Sequence, residues 1–331
     1  MPAPSNIRRF DRRHLLMSAA LGATTLLHAG PILARAPQAT RQVPGLYRLR
    51  IGAIEVTALL DGHTSFPDQA LPGLFPAYDA ATADRLRQQA FIPAGGVPLA
   101  VNAYLINTGS QLILVDAGAA EALGPTLGQI PGNLAAAGLE PSQIDTVIVT
   151  HFHRDHAAGL LTGDGLALFP NAELVVAEAE VAYWDDDAAM AAARPAVRNF
   201  FEPARRALAP YRARLRRIVP GQEVVPGVTT LPLPGHTPGH MGVRVHSGAE
   251  QLVVWGDVVH TQALQMPRPD WSIAFDSDPA MAAETRRRMF DVAATDRILV
   301  AGMHLDFPGI GHVVRRQEGY GFEPLAWRSA L

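Results

Sequence analysis

The sequence contains no cysteine and no lysine. Without cysteine there is no disulfide, no thiol nucleophile and no thiolate ligand for a metal. Without lysine, Schiff-base and pyridoxal chemistry have no amine to work through. An excess of positive charge is missing too. The formal net charge is −3 with no low-complexity charge run, which leaves no basic face for nucleic acid. No apolar run is long enough to span a bilayer. The remainder is ordinary globular composition, 48% hydrophobic and 18% charged, and 331 residues suit one large domain or two modest ones. Any metal site in this chain has to be built from histidine and carboxylates.

Those side chains are concentrated in one place. His151, His153, Asp155 and His156 directly follow the β-branched apolar run Val147-Ile148-Val149-Thr150, which reads as a buried strand. If the chain stays extended past Thr150, His151 and His153 project to the same side, because side chains alternate with period two. Asp155 and His156 come where the chain turns, and Ala157-Ala158-Gly159-Leu160 then opens a helix. Imidazole nitrogen together with carboxylate oxygen suits zinc or a neighbouring first-row metal. The plain alternative is a strand-end loop that happens to be rich in histidine.

The same placement recurs three times. Val228–Leu233 ends at Pro234-Gly235-His236-Thr237-Pro238-Gly239-His240. Leu252–Trp255 ends at Gly256-Asp257, and Ile298–Ala301, the last clear strand, ends at Gly302-Met303-His304. His236, Asp257 and His304 are weak signals singly and a strong one together.

The other segments are read more coarsely. Asp11-Arg12-Arg13-His14-Leu15-Leu16-Met17, a short apolar stretch over Ser18–Leu27 and Ala34-Arg35-Ala36 resemble a twin-arginine export signal with its cleavage site over residues 1–36. An amphipathic helix or a tail is the alternative. The export reading puts the mature protein, residues 37–331, in the periplasm or outside the cell. Tyr47–Ile51 with Ile54–Leu60 reads as a hairpin ending at Asp61-Gly62-His63, and Asn102–Asn107 with Gln111–Asp116 as a second. Residues 64–98 read as a long connection with a short helix around Ala80–Gln89. In it Leu71, Leu74 and Phe75 either cover a pocket or belong to a surface loop. A helix is expected near Leu127–Ala137. Asp116, at a strand end, either holds a ligand histidine from behind or caps the turn. Residues 178–218 read as a helical insertion broken by prolines, in which Trp184, Phe200 and Phe201 are core residues or substrate walls. Arg286-Arg287-Arg288 reads as a solvated helix face.

The set His151-Phe152-His153-Arg154-Asp155-His156, His236, Asp257 and His304 resembles the H-x-H-x-D-H motif and later ligands of the metallo-β-lactamase superfamily. The resemblance runs from about residue 45 to the C-terminus and includes Leu114-Val115-Asp116-Ala117-Gly118. It implies an α+β fold, a four-layer αββα sandwich with two metals at one edge. Within the superfamily the chain is similar to the methyl parathion hydrolase group and its lactonase and aryl esterase relatives. The stretches that carry this are Ala58–Gly62, Leu105–Ser110, Gly124–Gly128 and Phe307–His312. By resemblance His151, His153 and His236 hold one divalent ion, Asp155, His156 and His304 the other, and Asp257 bridges them. Zinc is the default, with manganese, iron or cobalt able to use the same ligands. Such an ion pair acidifies a shared water into hydroxide, and Asp155 passes the proton to the leaving group.

Two substrate classes follow. Lactones or aryl esters would be attacked at an sp² carbonyl, organophosphate triesters by in-line displacement. His260, three residues past Asp257, and Leu123 are expected near the substrate and favour the ester reading, with the triester as a side reaction. β-Lactamases with a cysteine ligand are excluded by composition, and superfamily nucleases would need further domains or a basic face. A glyoxalase II-type thioesterase would carry basic residues for glutathione near its C-terminus, where this chain has Arg315 and Arg316. A non-catalytic periplasmic metal-binding protein is the reading from a different class. A homodimer is expected from the resemblance alone.

Overall fold

A computed structural model describes residues 38–40 and 42–331. The export-signal reading over residues 1–36 therefore lies outside the described residues. Among these, no helix is long and apolar enough to cross a membrane.

Two seven-stranded sheets carry the fold. The first contains β1 (Leu46–Ile51), β2 (Ile54–Pro67), β3 (Gly96–Asn107), β4 (Leu112–Val115), β5 (Thr146–Ile148), β6 (Glu173–Ala177) and β7 (Leu215–Ile218), side by side in that order. Its first four strands run antiparallel, and β4 to β7 are parallel. The second contains β8 (Glu223–Val225), β9 (Val228–Pro232), β10 (Met241–Ser247), β11 (Glu250–Val254), β12 (Leu299–Ala301), β13 (Ile310–Arg315) and β14 (Tyr320–Pro324). There only β11 and β12 pair in parallel.

Strands with two apolar faces explain the layers. In β5, Ile148 faces the other sheet while Val147, and Val149 just beyond the strand, face the helices. In and just after β11, Leu252 and Val254 face inward while Val253 and Trp255 face outward. The inward residues of both sheets share one core, Val56, Ile106, Ile113 and Val175 meeting Val243, Val245 and Ala301. The helices Ile130–Ala136, Glu178–Asp185 and Phe201–Leu208 cover the first sheet, and the long helix Pro279–Thr295 covers the second. This is the expected α+β, four-layer αββα sandwich.

Several boundaries differ from the sequence reading. β2 does not stop at Leu60. A bulge at Asp61 and Gly62 lets it continue to Pro67 against β3, which begins at Gly96. The bulge is fixed because the Asp61 carboxylate accepts from Ala119 N and Ile130 N, and a Cβ on Gly62 would strike Thr126 O. The last residues of the supposed helical insertion, 215–218, form β7, whose parallel pairing with β6 overrides their arginine-rich composition. β13 and β14 follow the strand taken as the last. Arg286 is not solvated. It is 1% exposed and donates to Val258 O, Pro269 O and Trp271 O, holding the loop after β11.

Candidate metal centre

The loop after β5, in the first sheet, delivers His151 and His153, and a short helix over Arg154–Ala157 carries Asp155 and His156 on its first turn. The loops after β9, β11 and β12, in the second sheet, deliver His236, Asp257 and His304. All seven side chains converge at one edge of the sandwich, in the groups His151–His153–His236–Asp257 and Asp155–His156–His304, and Asp257 and His304 also form a third group with His260. Six are buried and Asp155 is partly exposed.

Asp257 divides its two oxygens between these groups. Oδ2 lies 3.2 Å from His236 Nε2 and 3.6 Å from His151 Nε2, while Oδ1 lies 3.1 Å from His156 Nε2 and 3.2 Å from His304 Nε2. A hydrogen bond of 3.0 Å from Asp257 N to His240 Nε2 fixes the backbone. His240 donates through Nδ1 to Leu233 O, and burial, with His236 nearby, pushes its pKa down to about 3, so it stays neutral. Gly256 is required in this arrangement, since its φ is +57° and a Cβ would fall 2.3 Å from His240 Nε2.

Partners behind the histidines set their tautomers. His304 Nδ1 donates to Ala100 O at 2.8 Å. His236 Nδ1 donates to Asp276 Oδ1 at 2.8 Å and His156 Nδ1 to Asp116 Oδ2 at 2.7 Å. Asp116 also accepts from the hydroxyl of Thr150, whose oxygen in turn accepts from His151 Nδ1. These bonds leave Nε2 of His151, His156, His236 and His304 with its lone pair turned inward. His151 Nε2 and His236 Nε2 face each other at 3.2 Å, and His153 Nδ1 is 2.9 Å from the latter. His156 Nε2, His304 Nε2 and Asp257 Oδ1 are buried without a hydrogen-bond partner.

Lone pairs turned on one another require positive charge between them. Burial keeps the pKa values of His151 and His153 well below normal, so neither supplies it. Burial acts the same way on His156 and His236, yet the surrounding carboxylates prevail. Asp257, Asp155 and Asp116 raise His156, and Asp257 with Asp276 raises His236 to about 9. Asp257 lies well below the carboxylate range, burial being outweighed by His156, His304, His260 and His151. The centre is built to gather positive charge, and its imidazoles, once freed of their added protons, are with the carboxylates the donor set of zinc and neighbouring divalent metals.

A cavity of about 200 Å³ opens over the centre. Phe66, Leu99, Leu123, Phe200 and Phe275 form its apolar walls, and Thr64, Arg154, Asp155, Asp257 and His260 contribute polar atoms.

The sequence profile of the metallo-beta-lactamase superfamily matches residues 96–301. The chain belongs to that superfamily. Among solved structures it is similar to the hydrolase AbOPH of the β-lactamase superfamily, at 34% identity and a TM-score of 0.82 over 87% of this chain and 100% of that one. The dizinc quorum-quenching lactonase AidC, solved with a product, shares the superfamily fold at 22% identity and a TM-score of 0.81, over 86% of this chain and 99% of that one. Two curated relatives match in part. A Drosophila melanogaster β-lactamase-like protein 2 homolog is 31% identical over 91 residues, 26% of this chain and 28% of that protein. Bacillus subtilis (strain 168) YobT, an uncharacterized protein, is 26% identical over 143 residues, 43% of this chain and 55% of that protein. The matches thus span about a quarter and about half the length of these two relatives.

Of the residues expected to line a pocket in this superfamily member, the structure brings Leu123, Phe200 and His260 to the cavity. It does not bring Leu71, Leu74, Trp184 or Phe201 there. Leu71 and Leu74 pack with Phe75, Leu264 and Trp271 beneath the β2–β3 arms. Phe201 and Trp184 lie in the core under the first sheet, although the Trp184 ring stands edge-on to His153 at 5.9 Å. The extended β2 arm explains the difference, since it brings Thr64, Ser65 and Phe66 to the rim in their place. Sequence reasoning missed Phe66, Phe275, Asp276, His240 and Glu180. Only His240 carried a local signal, being the second histidine of the Gly235–His240 turn.

Proposed function

We propose that this chain is a metal-dependent hydrolase that opens lactones and aryl esters, with slower turnover of neutral phosphotriesters. The observation that carries the reading is the division of Asp257, one oxygen to each histidine group, beneath a cavity with apolar walls and a few polar groups. His151, His153 and His236 would hold one divalent ion, Asp155, His156 and His304 the other, with Asp257 shared. When bound, two such ions supply an acidified water and an electrophilic position for a carbonyl or phosphoryl oxygen.

The chain's own groups supply the rest. Asp155 Oδ2 lies 3.4 Å from His304 Nε2, and its side chain reaches the cavity. It is set to accept the attacking water's proton and return it to the leaving oxygen. His260 holds Nε2 against Asp257 Oδ2 at 3.1 Å, while its Nδ1 is buried without a partner. The His260 ring lines the cavity and supports a substrate with a polar ring or ester oxygen. The cavity, at about 200 Å³, suits a single small acyl or aryl group. Phe66, Phe200 and Phe275 would pack against it and exclude water. The same apolar walls support a neutral phosphotriester as the secondary substrate.

The test compares kcat/KM of the zinc- and manganese-loaded mature protein on dihydrocoumarin, an acyl-homoserine lactone and methyl paraoxon. Lactone or ester turnover exceeds that of methyl paraoxon, and His260→Leu shifts the ratio towards the triester by about tenfold, the scale of one net hydrogen bond. Faster turnover of methyl paraoxon by the wild type would make this an organophosphate hydrolase. Two bound metals with no turnover of any of the three would favour the non-catalytic metal-binding reading.

A further inference from the structure

Glu180 has no part in the ligand set, yet its side chain is fully buried. A carboxylate enclosed in this way is costly unless its lone pairs are answered. Here four donors answer them. Oε1 accepts from Phe152 N at 3.0 Å and Trp184 Nε1 at 2.5 Å, and Oε2 from Thr237 Oγ1 at 2.6 Å and Gly239 N at 3.0 Å.

The positions of these donors matter more than their number. Phe152 stands between His151 and His153. Thr237 follows His236, and Gly239 comes two residues later. One oxygen therefore grips the loop after β5 and the other the loop after β9, which belong to different sheets. The fit is close, for a Cβ on Gly239 would fall 2.2 Å from Glu180 N. Glu180 itself lies on the helix Glu178–Asp185, the start of the helical insertion. The other ligand group makes no bond to Glu180, His156 being held by Asp116, which also reaches His151 through Thr150, and His304 by Ala100 O.

We infer that Glu180 is a positioning residue for one half of the metal centre, clamping the loops of His151, His153 and His236 together so that the helical insertion sets the metal affinity of that half ahead of the other. This rests on the metal-centre reading above. Glu180→Gln keeps the size of the side chain but puts an NH2 group opposite at least one backbone N–H, which cannot turn to accept. Thr237→Val removes a single bond and leaves the charge and the shape.

The experiment titrates zinc into the metal-free full chain against a chromophoric chelator, with His236→Ala and His304→Ala marking which binding step belongs to which half. Glu180→Gln weakens the step that His236→Ala abolishes by about 10- to 100-fold, the range for groups that orient ligands, and leaves the other step within about twofold. Thr237→Val moves the same step in the same direction by less, and it carries the test alone if Glu180→Gln does not fold. Equal weakening of both steps would reduce Glu180 to general packing, and unchanged steps in a folded variant would also overturn the inference. A wild type that takes up no zinc would instead remove the metal-centre reading, and the inference with it.

Discussion

Asp257 and the groups behind the histidines show how few atoms define the centre. Each inward Nε2 depends on a bond made by the far side of its ring, so a change one step removed from the ligands should be felt at them. Asp276 is the sharpest case, because Oδ1 accepts from His236 Nδ1 and Oδ2 from Ile273 N. In Asp276→Asn the amide NH2 must oppose one of these donors. Zinc affinity or kcat/KM then drops by about 10- to 100-fold, as measured by chelator competition and steady-state kinetics, while wild-type values would mean that His236 does not need this partner. The seven proposed ligands were legible in the sequence because strand ends and short spacings are written into the covalent order. Asp276 and Glu180 were not, since Asp276 lies 40 residues from His236 and Glu180 lies 28 from Phe152. Asp116 was read as either a turn residue or a support, and it is both. It sits at φ +60° and accepts from Thr150 and His156.

The helical insertion illustrates what element-level pattern can and cannot tell. Its helices were legible from alanine content, although Pro203 sits in the first turn of Phe201–Leu208 and does not break it, and Phe200 and Phe201 are adjacent aromatics that no pattern separates. At the start of the helix they diverge. Phe201 turns into the core against Trp184, with ring centroids 4.7 Å apart, and Phe200 turns to the cavity, 4.2 Å from the His153 ring. Phe201→Ala therefore destabilises the protein by about 3–5 kcal/mol in urea unfolding. Phe200→Ala costs clearly less stability and instead lowers kcat/KM on the preferred ester by about tenfold. The reverse assignment of effects would show that the two roles are exchanged. β7 escaped notice for a related reason. It is an edge strand in which only Leu215 and Ile218 are apolar, with Arg216 and Arg217 between them, so pairing with β6 rather than its own pattern makes it a strand.

On the scale of the whole molecule, the layer order was implied by the resemblance to the superfamily, and runs such as Val147–Val149, which need cover on both faces, agree with it. The pairing of strands could not be read from such runs, because register is settled by neighbours distant in sequence. That pairing has a simple form, with residues 46–218 completing the first sheet before residues 223–324 build the second. The joint between them is Val219–Gln222, where Val219 is 58% exposed and Gly221 has a φ of +112°. A chain divided there becomes a complementation pair. The first fragment carries His151, His153, Asp155 and His156, the second His236, Asp257 and His304, and each exposes one wall of the shared core. Neither fragment should bind zinc with native affinity or turn over substrate. Mixed together, they should co-elute in gel filtration and regain both properties, more completely with zinc than without it. Recovery of activity by one fragment alone would contradict this. In this chain the candidate metal centre lies on the seam between the two sheets, and its assembly would report that they have met.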